Sequence, residues 1–257
     1  MKYRNAATSY LLLLFLLLTG CQQKPQEYRS TLLVFGTLIN ITLWDVEQKK
    51  ADAALATISE DLQFMHDAWH PWKEGPMGRT NQLLETTTEF SANPSVMPLL
   101  EKSVTLSSQS QGLFNPAIGK LIKLWGFHQD DIFDGPPPDA EQIAQLLKQN
   151  PQLSDIEMNN IRMRSRNSAV RLDMGAIAKG LAIDRVISYL KSIDIHHAIV
   201  NAGGDLKAIG SHGERAWHVG IRHPREESII ASLDVFDNES VFTSGDYERY
   251  FEHHGKR

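Results

Sequence analysis

Apolar residues recur with two different periods along this chain, and the change of period restricts the folds that it can adopt. Between residues 51 and 65 they return every three or four positions, which is the period of one helix face. Towards the end they form short runs, and over residues 217–221 they alternate with polar residues, as in a strand. Helices early in the chain and strands late indicate an α+β protein.

The same patterns predict individual elements. Helices are expected over residues 51–65, from Val96 until just before Gly112, from an N-cap at Asp139 through Lys148, and over 177–190. Strands are expected over 39–44, 198–201, 217–221, 229–236 and 241–251, with a hairpin over 161–172 that turns near Asn167. The Gly-Pro-Pro-Pro run at 135–138 predicts a surface excursion or, alternatively, a domain seam.

Composition excludes several classes of protein. With 257 residues, 42% of them hydrophobic, the chain can bury one good-sized core or two small ones. The net charge of −5, without a Lys/Arg-rich run, argues against a nucleic-acid binder that works by charge. The single cysteine excludes an intrachain disulfide and a Cys-rich zinc site.

That cysteine follows a stretch typical of a secretory signal peptide. Lys2 and Arg4 precede an apolar run over 10–18, which is too short to span a bilayer. The run ends in Leu-Thr-Gly-Cys at 18–21, which resembles the bacterial lipobox and predicts lipidation at Cys21. We therefore expect a lipoprotein signal peptide over 1–20 and a polar tether over 21–30. Gln22 favours the outer over the inner membrane by the same resemblance, with the protein facing the periplasm. A plain signal peptide with an incidental cysteine is the alternative.

The segment 173–180, Asp-Met-Gly-Ala-Ile-Ala-Lys-Gly, predicts an anion site at the start of a helix. Gly175 permits close approach of the backbone, the free amides of a first helical turn attract anions, and Lys179 adds a positive charge. Asp173 would accept hydrogen bonds from a ligand or help to order a cation. The alternative is an ordinary turn into a helix with a solvated lysine.

Two further segments have both a functional and a structural interpretation. The glycine pair in 201–205 would let a flat ligand lie on the backbone, or would form a tight hairpin turn; 243–246 has the same ambiguity. Trp69, Trp72 and Phe114 would sandwich a planar ring, or would belong to the core.

His66 and His70 stand four residues apart on the first predicted helix. This spacing places both on one helix face and is compatible with a zinc site. A third ligand at a diagnostic distance is missing from the sequence, so zinc is kept as a minor alternative.

Taken together and in order, these segments resemble the FAD:protein FMN transferase (ApbE) family over residues 31–257. Phe-Gly-Thr at 35–37 stands where the family usually has Met-Gly-Thr. The other matching blocks are 71–73, 79–81, 112–119, 124–127, 173–184, 200–205 and 243–251. The blocks at 112–127 and 173–184 are long enough to be specific.

The resemblance implies a T-fold-related mixed domain, with antiparallel sheets and packed helices, that moves FMN from FAD onto a Thr or Ser hydroxyl of another protein and releases AMP. The expected acceptor is a flavoprotein subunit of a membrane redox complex, and the expected cofactor is Mg²⁺, which neutralises charge in phosphoryl transfer.

The resemblance also implies site residues. Ala176 would offer a backbone carbonyl to Mg²⁺. The residues expected to bind FAD are Phe35 and Trp72 as ring-flanking walls, Leu113, Phe114 and Asn115 as part of the same wall, Asp173, Lys179, Gly203, Gly204 and Asp205 along the cleft, and Thr243, Ser244 and Gly245. Asn115 stands where many members have Asp.

Family members typically continue, past the segment that ends here at Arg257, into His-x-Ile-Asp-Pro-x-Thr-Gly and a helix that gives an Asp and a Thr to magnesium. The catalytic residues are therefore expected beyond position 257, and Ala176 alone would not hold Mg²⁺ tightly. Two alternatives stay open on this resemblance. One is a periplasmic FAD-binding lipoprotein without transfer activity, and the other is a FAD pyrophosphatase in which water replaces the acceptor hydroxyl.

Overall fold

The computed structural model describes residues 25–129, 133–134, 136–245 and 250–253. The predicted signal peptide and Cys21 lie outside the described residues. Within those ranges, no helix combines the length and the apolar character that crossing a membrane requires.

Helices and strands are mixed along the chain, and two strands precede the first helix, which differs from the order of helices early and strands late expected from the sequence. The helices are α1 (Gln48–Trp69), α2 (Pro76–Leu84), α3 (Met97–Gln109), α4 (Gly119–Leu124), α5 (Ala140–Gln149) and α6 (Gly175–Ser192), with short 3₁₀ turns at Pro94–Val96 and Leu153–Asp155. The strands are β1 (Glu27–Val34), β2 (Thr37–Trp44), β3 (Phe90–Ser91), β4 (Phe133–Asp134), β5 (Ile156–Asn159), β6 (Arg162–Ser165), β7 (Ala198–Ala202), β8 (Asp205–Ile209), β9 (Trp217–Arg222), β10 (Ile229–Val235), β11 (Ser240–Val241) and β12 (Phe251–Glu252).

The main sheet has the strand order β1-β2-β7-β8-β11, and each neighbouring pair is antiparallel. In β2, Ile39, Ile41 and Leu43 are buried while Leu38 and Asn40 are exposed, because successive side chains point to opposite faces. Register places Ile41 opposite Val200 of β7, which is also buried. The buried face of the sheet therefore continues from strand to strand.

Two long helices cover this buried face. In α1 the buried positions recur at helical spacing and include Ile58, Leu62 and Met65. In α6 they include Ile183 and Val186, and α6 packs against both β7 and β8. Both sets belong to one apolar core, which fixes the ends of the two helices relative to the sheet.

The opposite face of β8 is covered by the β9–β10 hairpin. Leu206 and Ala208 of β8 are buried against Trp217 and Val235 of that hairpin, in a second and smaller apolar cluster. The Trp217 indole N–H donates to the Ile209 carbonyl at 3.2 Å, which satisfies its polar group in a buried position.

Most of the predicted long elements are confirmed. The helices expected over 51–65, 96–112, 139–148 and 177–190 correspond to α1, α3, α5 and α6, and the strand expected over 39–44 is β2. The predicted cap of α5 is present, since the Asp139 carboxylate accepts the Glu141 N–H at 2.8 Å.

Three predictions are wrong. The tether predicted to end at residue 30 overlaps β1, whose residues Glu27–Ser30 pair with β2. The hairpin predicted to turn near Asn167 instead joins β5 and β6 and turns around Asn160, which has a φ of 51°. The strand predicted over 241–251 is not continuous, because 242–245 are outside any strand; 246–249 lie outside the described residues.

Some elements were not predicted, among them β1, α4, α2 and β8. Helix α2 is only nine residues long, with Gly75 at its N-cap and Pro76 at its first position, so it carries little apolar periodicity. Strand β8 carries Asp205 and Lys207 on the side that faces α6, where they form ion pairs. Because apolar residues would be expected on this covered side, the sequence did not indicate a strand.

Candidate functional site

A cavity of about 660 Å³ opens where the β1–β2 turn, the end of α1, the start of α6 and the β7–β8 turn meet. Among the described residues it is lined by Leu33–Thr37, His66, Trp69–Lys73, Phe127, His128, Asp173–Gly175, Ala178, Lys179 and Gly203. Its size is that of a typical small-molecule site. These segments are far apart in sequence, and the packing of α1 and α6 on the sheet brings them together.

Phe35 enters the cavity from a two-residue hairpin turn. Phe35 and Gly36 have φ values of 55° and 69°, which are typical of the turn that matches the twist of the flanking strands. The Phe35 ring lies 6.1 Å from the buried Trp69 ring and 5.7 Å from the His66 ring, centroid to centroid. Its backbone N–H donates to His66 Nδ1 at 3.0 Å.

Trp72 is held on several sides. Its indole N–H donates to Asp173 Oδ2 at 3.0 Å, and its backbone N–H donates to His70 Nδ1 at 3.2 Å. The Arg171 guanidinium carbon lies 4.7 Å from the centre of the Trp72 ring, a cation–π distance. The His128 ring approaches at 5.4 Å, edge to face. The indole is therefore placed before any ligand arrives.

Asp173 connects this aromatic wall to the start of α6. While Oδ2 accepts the Trp72 indole N–H, Oδ1 accepts the backbone N–H of Gly175 at 2.9 Å. A carboxylate at this point also complements the positive end of the helix dipole.

Asn81, to which the sequence analysis assigned no role, binds the backbone next to Trp72 and Asp173. Its side chain is fully buried; Oδ1 accepts the Leu172 N–H at 2.7 Å and Nδ2 donates to the Leu172 carbonyl at 2.9 Å. A longer bond of 3.4 Å reaches the Pro71 carbonyl. The amide thus binds the residues that directly precede Trp72 and Asp173, and a buried polar residue of this kind leaves no periodic signal in a sequence.

Lys179 forms an ion pair with Asp205 of β8, Nζ to Oδ2, at 2.6 Å. A second pair, Lys207 of β8 with Asp184 of α6 at 2.7 Å, joins the same two elements with the charges exchanged. Lys179 lines the cavity, whereas Lys207 and Asp184 do not. Asp205 therefore holds the lysine side chain where the cavity begins.

Gly203 and Gly204 form the two-residue turn between β7 and β8, with φ values of 63° and 95°. A Cβ atom on Gly203 would overlap the Thr37 hydroxyl, and one on Gly204 would overlap the Thr243 hydroxyl. Thr243 Oγ1 donates to the Gly204 carbonyl at 3.1 Å. The structural interpretation as a hairpin turn is correct, and Gly203 in addition lines the cavity.

Several residues expected to bind cofactor lie outside this lining. They are Leu113, Phe114, Asn115, Ala176, Gly204, Asp205, Thr243, Ser244 and Gly245. Leu113 is 92% exposed, Phe114 packs against the core, and Asn115 binds backbone: Oδ1 accepts the Ala117 N–H and Nδ2 donates to the Pro151 carbonyl.

The described residues do not form the zinc site considered for His66 and His70. No group of three or more His, Cys, Asp or Glu suited to a metal ion occurs within the described part of the chain. In both histidines Nδ1 is engaged by a backbone N–H.

His128, which lines the cavity, has a displaced pKa. Burial lowers the pKa of His128 below its usual 6.5, and the positive charges of Lys123 and Arg171 lower it further. The imidazole beside Trp72 is therefore neutral at pH 7.

The chain belongs to the ApbE family, which it matches over residues 35–257. It is 36% identical to a FAD:protein FMN transferase of Rhodobacter capsulatus, over 90% of this chain and 44% of that protein. A FAD:protein FMN transferase of Klebsiella pneumoniae is also 36% identical, over 63% of this chain and 49% of that protein. The chain thus spans about half the length of these curated relatives.

Solved structures show the same fold. The ApbE protein of Thermotoga maritima superposes with a TM-score of 0.78 at 28% identity, over 90% of this chain and 74% of that one. The flavin transferase ApbE of Vibrio cholerae, at 19% identity and a TM-score of 0.73 over 87% of this chain and 72% of that one, supports the fold alone. The α+β prediction is confirmed.

Proposed function

We propose that this chain transfers FMN from FAD through a phosphoester bond to a Thr or Ser hydroxyl of an acceptor flavoprotein. The observation that carries the proposal is the cavity itself, which brings two aromatic side chains, Phe35 and Trp72, into one site with Lys179 and the first turn of α6. A flavin dinucleotide has the matching parts, because its rings are planar and its pyrophosphate is anionic.

In this proposal the planar ring lies against Phe35 and Trp72. The pyrophosphate lies towards Gly175 and Lys179, where backbone amides and a lysine offer positive charge. Gly203 lets backbone approach the ligand closely, since it has no side chain.

Transfer would proceed by in-line attack of the acceptor hydroxyl oxygen on the flavin-side phosphorus of FAD. A new phosphorus–oxygen bond forms, the bond to the bridging oxygen breaks, AMP leaves, and the hydroxyl proton is released. The acceptor proposed from the family is a flavoprotein subunit of a membrane redox complex.

Mg²⁺ is proposed as cofactor on the family resemblance alone. Ala176 is exposed in the first turn of α6. The Asp173 carboxylate accepts a hydrogen bond from Trp72, and the Asp205 carboxylate forms an ion pair with Lys179. The described side chains therefore do not fit a preformed magnesium site, and the roles given above involve no metal.

The proposed location is the bacterial cell envelope, with the chain anchored by lipid at Cys21 and facing the periplasm. It rests on the lipobox-like sequence at 18–21, which lies outside the described residues. Metabolic labelling with a radioactive fatty acid tests it, and a Cys21→Ser variant that is labelled equally would refute it.

The full-length chain is incubated with FAD, Mg²⁺ and an acceptor subunit, and protein-bound flavin, AMP, FMN and FAD are quantified. A fluorescent acceptor band with an equal amount of AMP supports transfer. FMN and AMP without a labelled acceptor would instead identify a pyrophosphatase. One intact FAD per chain would indicate a binding protein, and the absence of bound or consumed FAD would refute a flavin function.

A further inference from the structure

Two histidines at the end of α1 each hold the backbone of an aromatic residue that lines the cavity. His66 Nδ1 accepts the Phe35 N–H at 3.0 Å, and His70 Nδ1 accepts the Trp72 N–H at 3.2 Å. The two imidazole rings lie 5.6 Å apart and nearly perpendicular. The spacing in the sequence suggested a metal site for this pair. In the structure, the partner of each ring is instead the backbone N–H of an aromatic residue.

The identity of that partner fixes which nitrogen of each ring accepts a hydrogen bond. A backbone N–H can only donate, so each Nδ1 must present its lone pair. A neutral imidazole of this kind carries its proton on Nε2, and an imidazolium ion could not accept at Nδ1 at all. While these bonds last, neither ring nitrogen offers a free lone pair to a metal.

We infer that His66 and His70 are positioning residues, which set the places of the aromatic walls Phe35 and Trp72 from one rigid helix end. The nature of the planar ligand between those walls, a flavin, rests on the function proposed above. The placement of the walls does not depend on that function.

The helix end is suited to this task because it is itself anchored in the core. Trp69, between the two histidines, is buried and its indole N–H donates to the Ser95 carbonyl at 2.9 Å. His70 directly follows the last residue of α1 and stands four positions after His66, so the two Cα atoms differ by a rise of about 6 Å along the helix axis. The distance between the two aromatic walls is thereby set by the distance between His66 and His70.

Both walls also need external support. Phe35 has a φ of 55°, which is unfavourable for a bulky residue. Trp72 lies in the segment between α1 and α2, outside any helix or strand. Its N–H, like that of Phe35 in the turn, requires a partner other than a ladder neighbour.

The test uses two near-isosteric variants at each position in the full chain. Asn places an amide oxygen where the imidazole has Nδ1, whereas Gln reaches the position of Nε2 and leaves Nδ1 without a replacement. Amide hydrogen exchange at residues 35 and 72 reports the bonds directly, without any ligand. FAD titration reports their consequence.

We expect His66→Gln to speed exchange at Phe35 and to raise the Kd for FAD, each about tenfold, which is the loss of one hydrogen bond. His66→Asn should stay within about threefold of the original protein in both measurements, because the acceptor is kept. His70→Gln and His70→Asn should behave likewise at Trp72. A matched control is His223→Gln, since His223 Nδ1 accepts the Arg225 N–H at 3.2 Å outside the cavity lining.

Equal exchange at residues 35 and 72 in the Gln and Asn variants would overturn the inference. So would stoichiometric zinc binding that is lost in both variants of His66. If the unaltered chain binds no FAD but shows the expected exchange pattern, the positioning role is supported and the proposed function is refuted.

Discussion

Trp72 and Asp173, 101 residues apart in sequence, are joined by a hydrogen bond of 3.0 Å from the indole nitrogen to Oδ2. The second carboxylate oxygen of Asp173 accepts the Gly175 N–H at the start of α6. One side chain therefore couples an aromatic wall of the cavity to the helix end at which we place the pyrophosphate. Asp173 acts in this arrangement by holding other groups in place.

Replacing Asp173 with Asn should weaken FAD binding about tenfold, because the neutral amide is a poorer acceptor for the indole and keeps only one carbonyl oxygen for two donors. Quenching of flavin fluorescence on titration measures this. Asp184→Asn, on the same helix and outside the lining, is the control and should leave the Kd unchanged. A D173N protein that binds FAD normally would contradict the coupling.

Lys179→Ala should weaken FAD binding by about 1.5–3 kcal/mol, the range for a charge-assisted hydrogen bond. Lys207→Ala is its matched control, since Lys207 makes the equivalent ion pair between the same two elements but does not line the cavity. Isothermal titration calorimetry gives both affinities.

The Lys179 substitution also leaves the Asp205 carboxylate without its ion-pair partner, and this carboxylate would repel an anion. The double variant K179A/D205N removes that repulsion. Part of the lost affinity should return in the double variant, and the remaining deficit measures the contact of Lys179 with the ligand. Equal losses for K179A and K207A would refute the placement of the pyrophosphate.

Gly203→Ala should destabilise the protein more than Gly112→Ala does. Both glycines have positive φ, at 63° and 83°, so both variants carry the backbone strain of about 1 kcal/mol. A Cβ at Gly203 would in addition overlap the Thr37 side chain, whereas open space surrounds Gly112. The difference in the free energy of unfolding in urea isolates the steric contribution. Equal values would show that the β1–β2 and β7–β8 turns are not closely packed.

Protonation of His128 should destabilise the folded protein at mildly acidic pH. Burial and the charges of Lys123 and Arg171 lower its pKa in the folded protein below 6.5, so the unfolded chain binds the proton more readily. The resulting stability is present above pH 6.5 and is lost as the pH falls through the lower pKa of the folded state. Urea unfolding from pH 7.5 downwards should therefore show a smaller decline for His128→Gln than for the original protein. Identical declines would contradict the lowered pKa.

Much of the fold could be predicted because the relevant signals are local. The apolar period of α1 and α6 follows from residues only three or four positions apart, and the cap at Asp139 from its neighbours. The turn near Asn160 was missed because Asn167 offers an equally good local signal. In the structure, Asn167 Oδ1 accepts the Ala169 N–H at 2.9 Å and Asn167 Nδ2 donates to the Gln149 carbonyl.

The candidate site was predicted in part. Phe35, Trp72, Asp173, Lys179 and Gly203 were named from motifs and do line one cavity. His66, His70 and Asn81 were not recognised as supports. Their bonds run to backbone groups of other segments, and a hydrogen bond to the backbone leaves no trace in the type of the partner residue.

By itself, the sequence determined the family of this protein, its α+β class and the positions of its long helices, since these follow from ordered motifs and short-range periodicity. Tertiary structure alone decided which residues meet. The Trp72–Asp173 bond and the Phe35–His66 bond both depend on where α1, α6 and the main sheet pack in the common core, a property of the whole chain and not of any one segment.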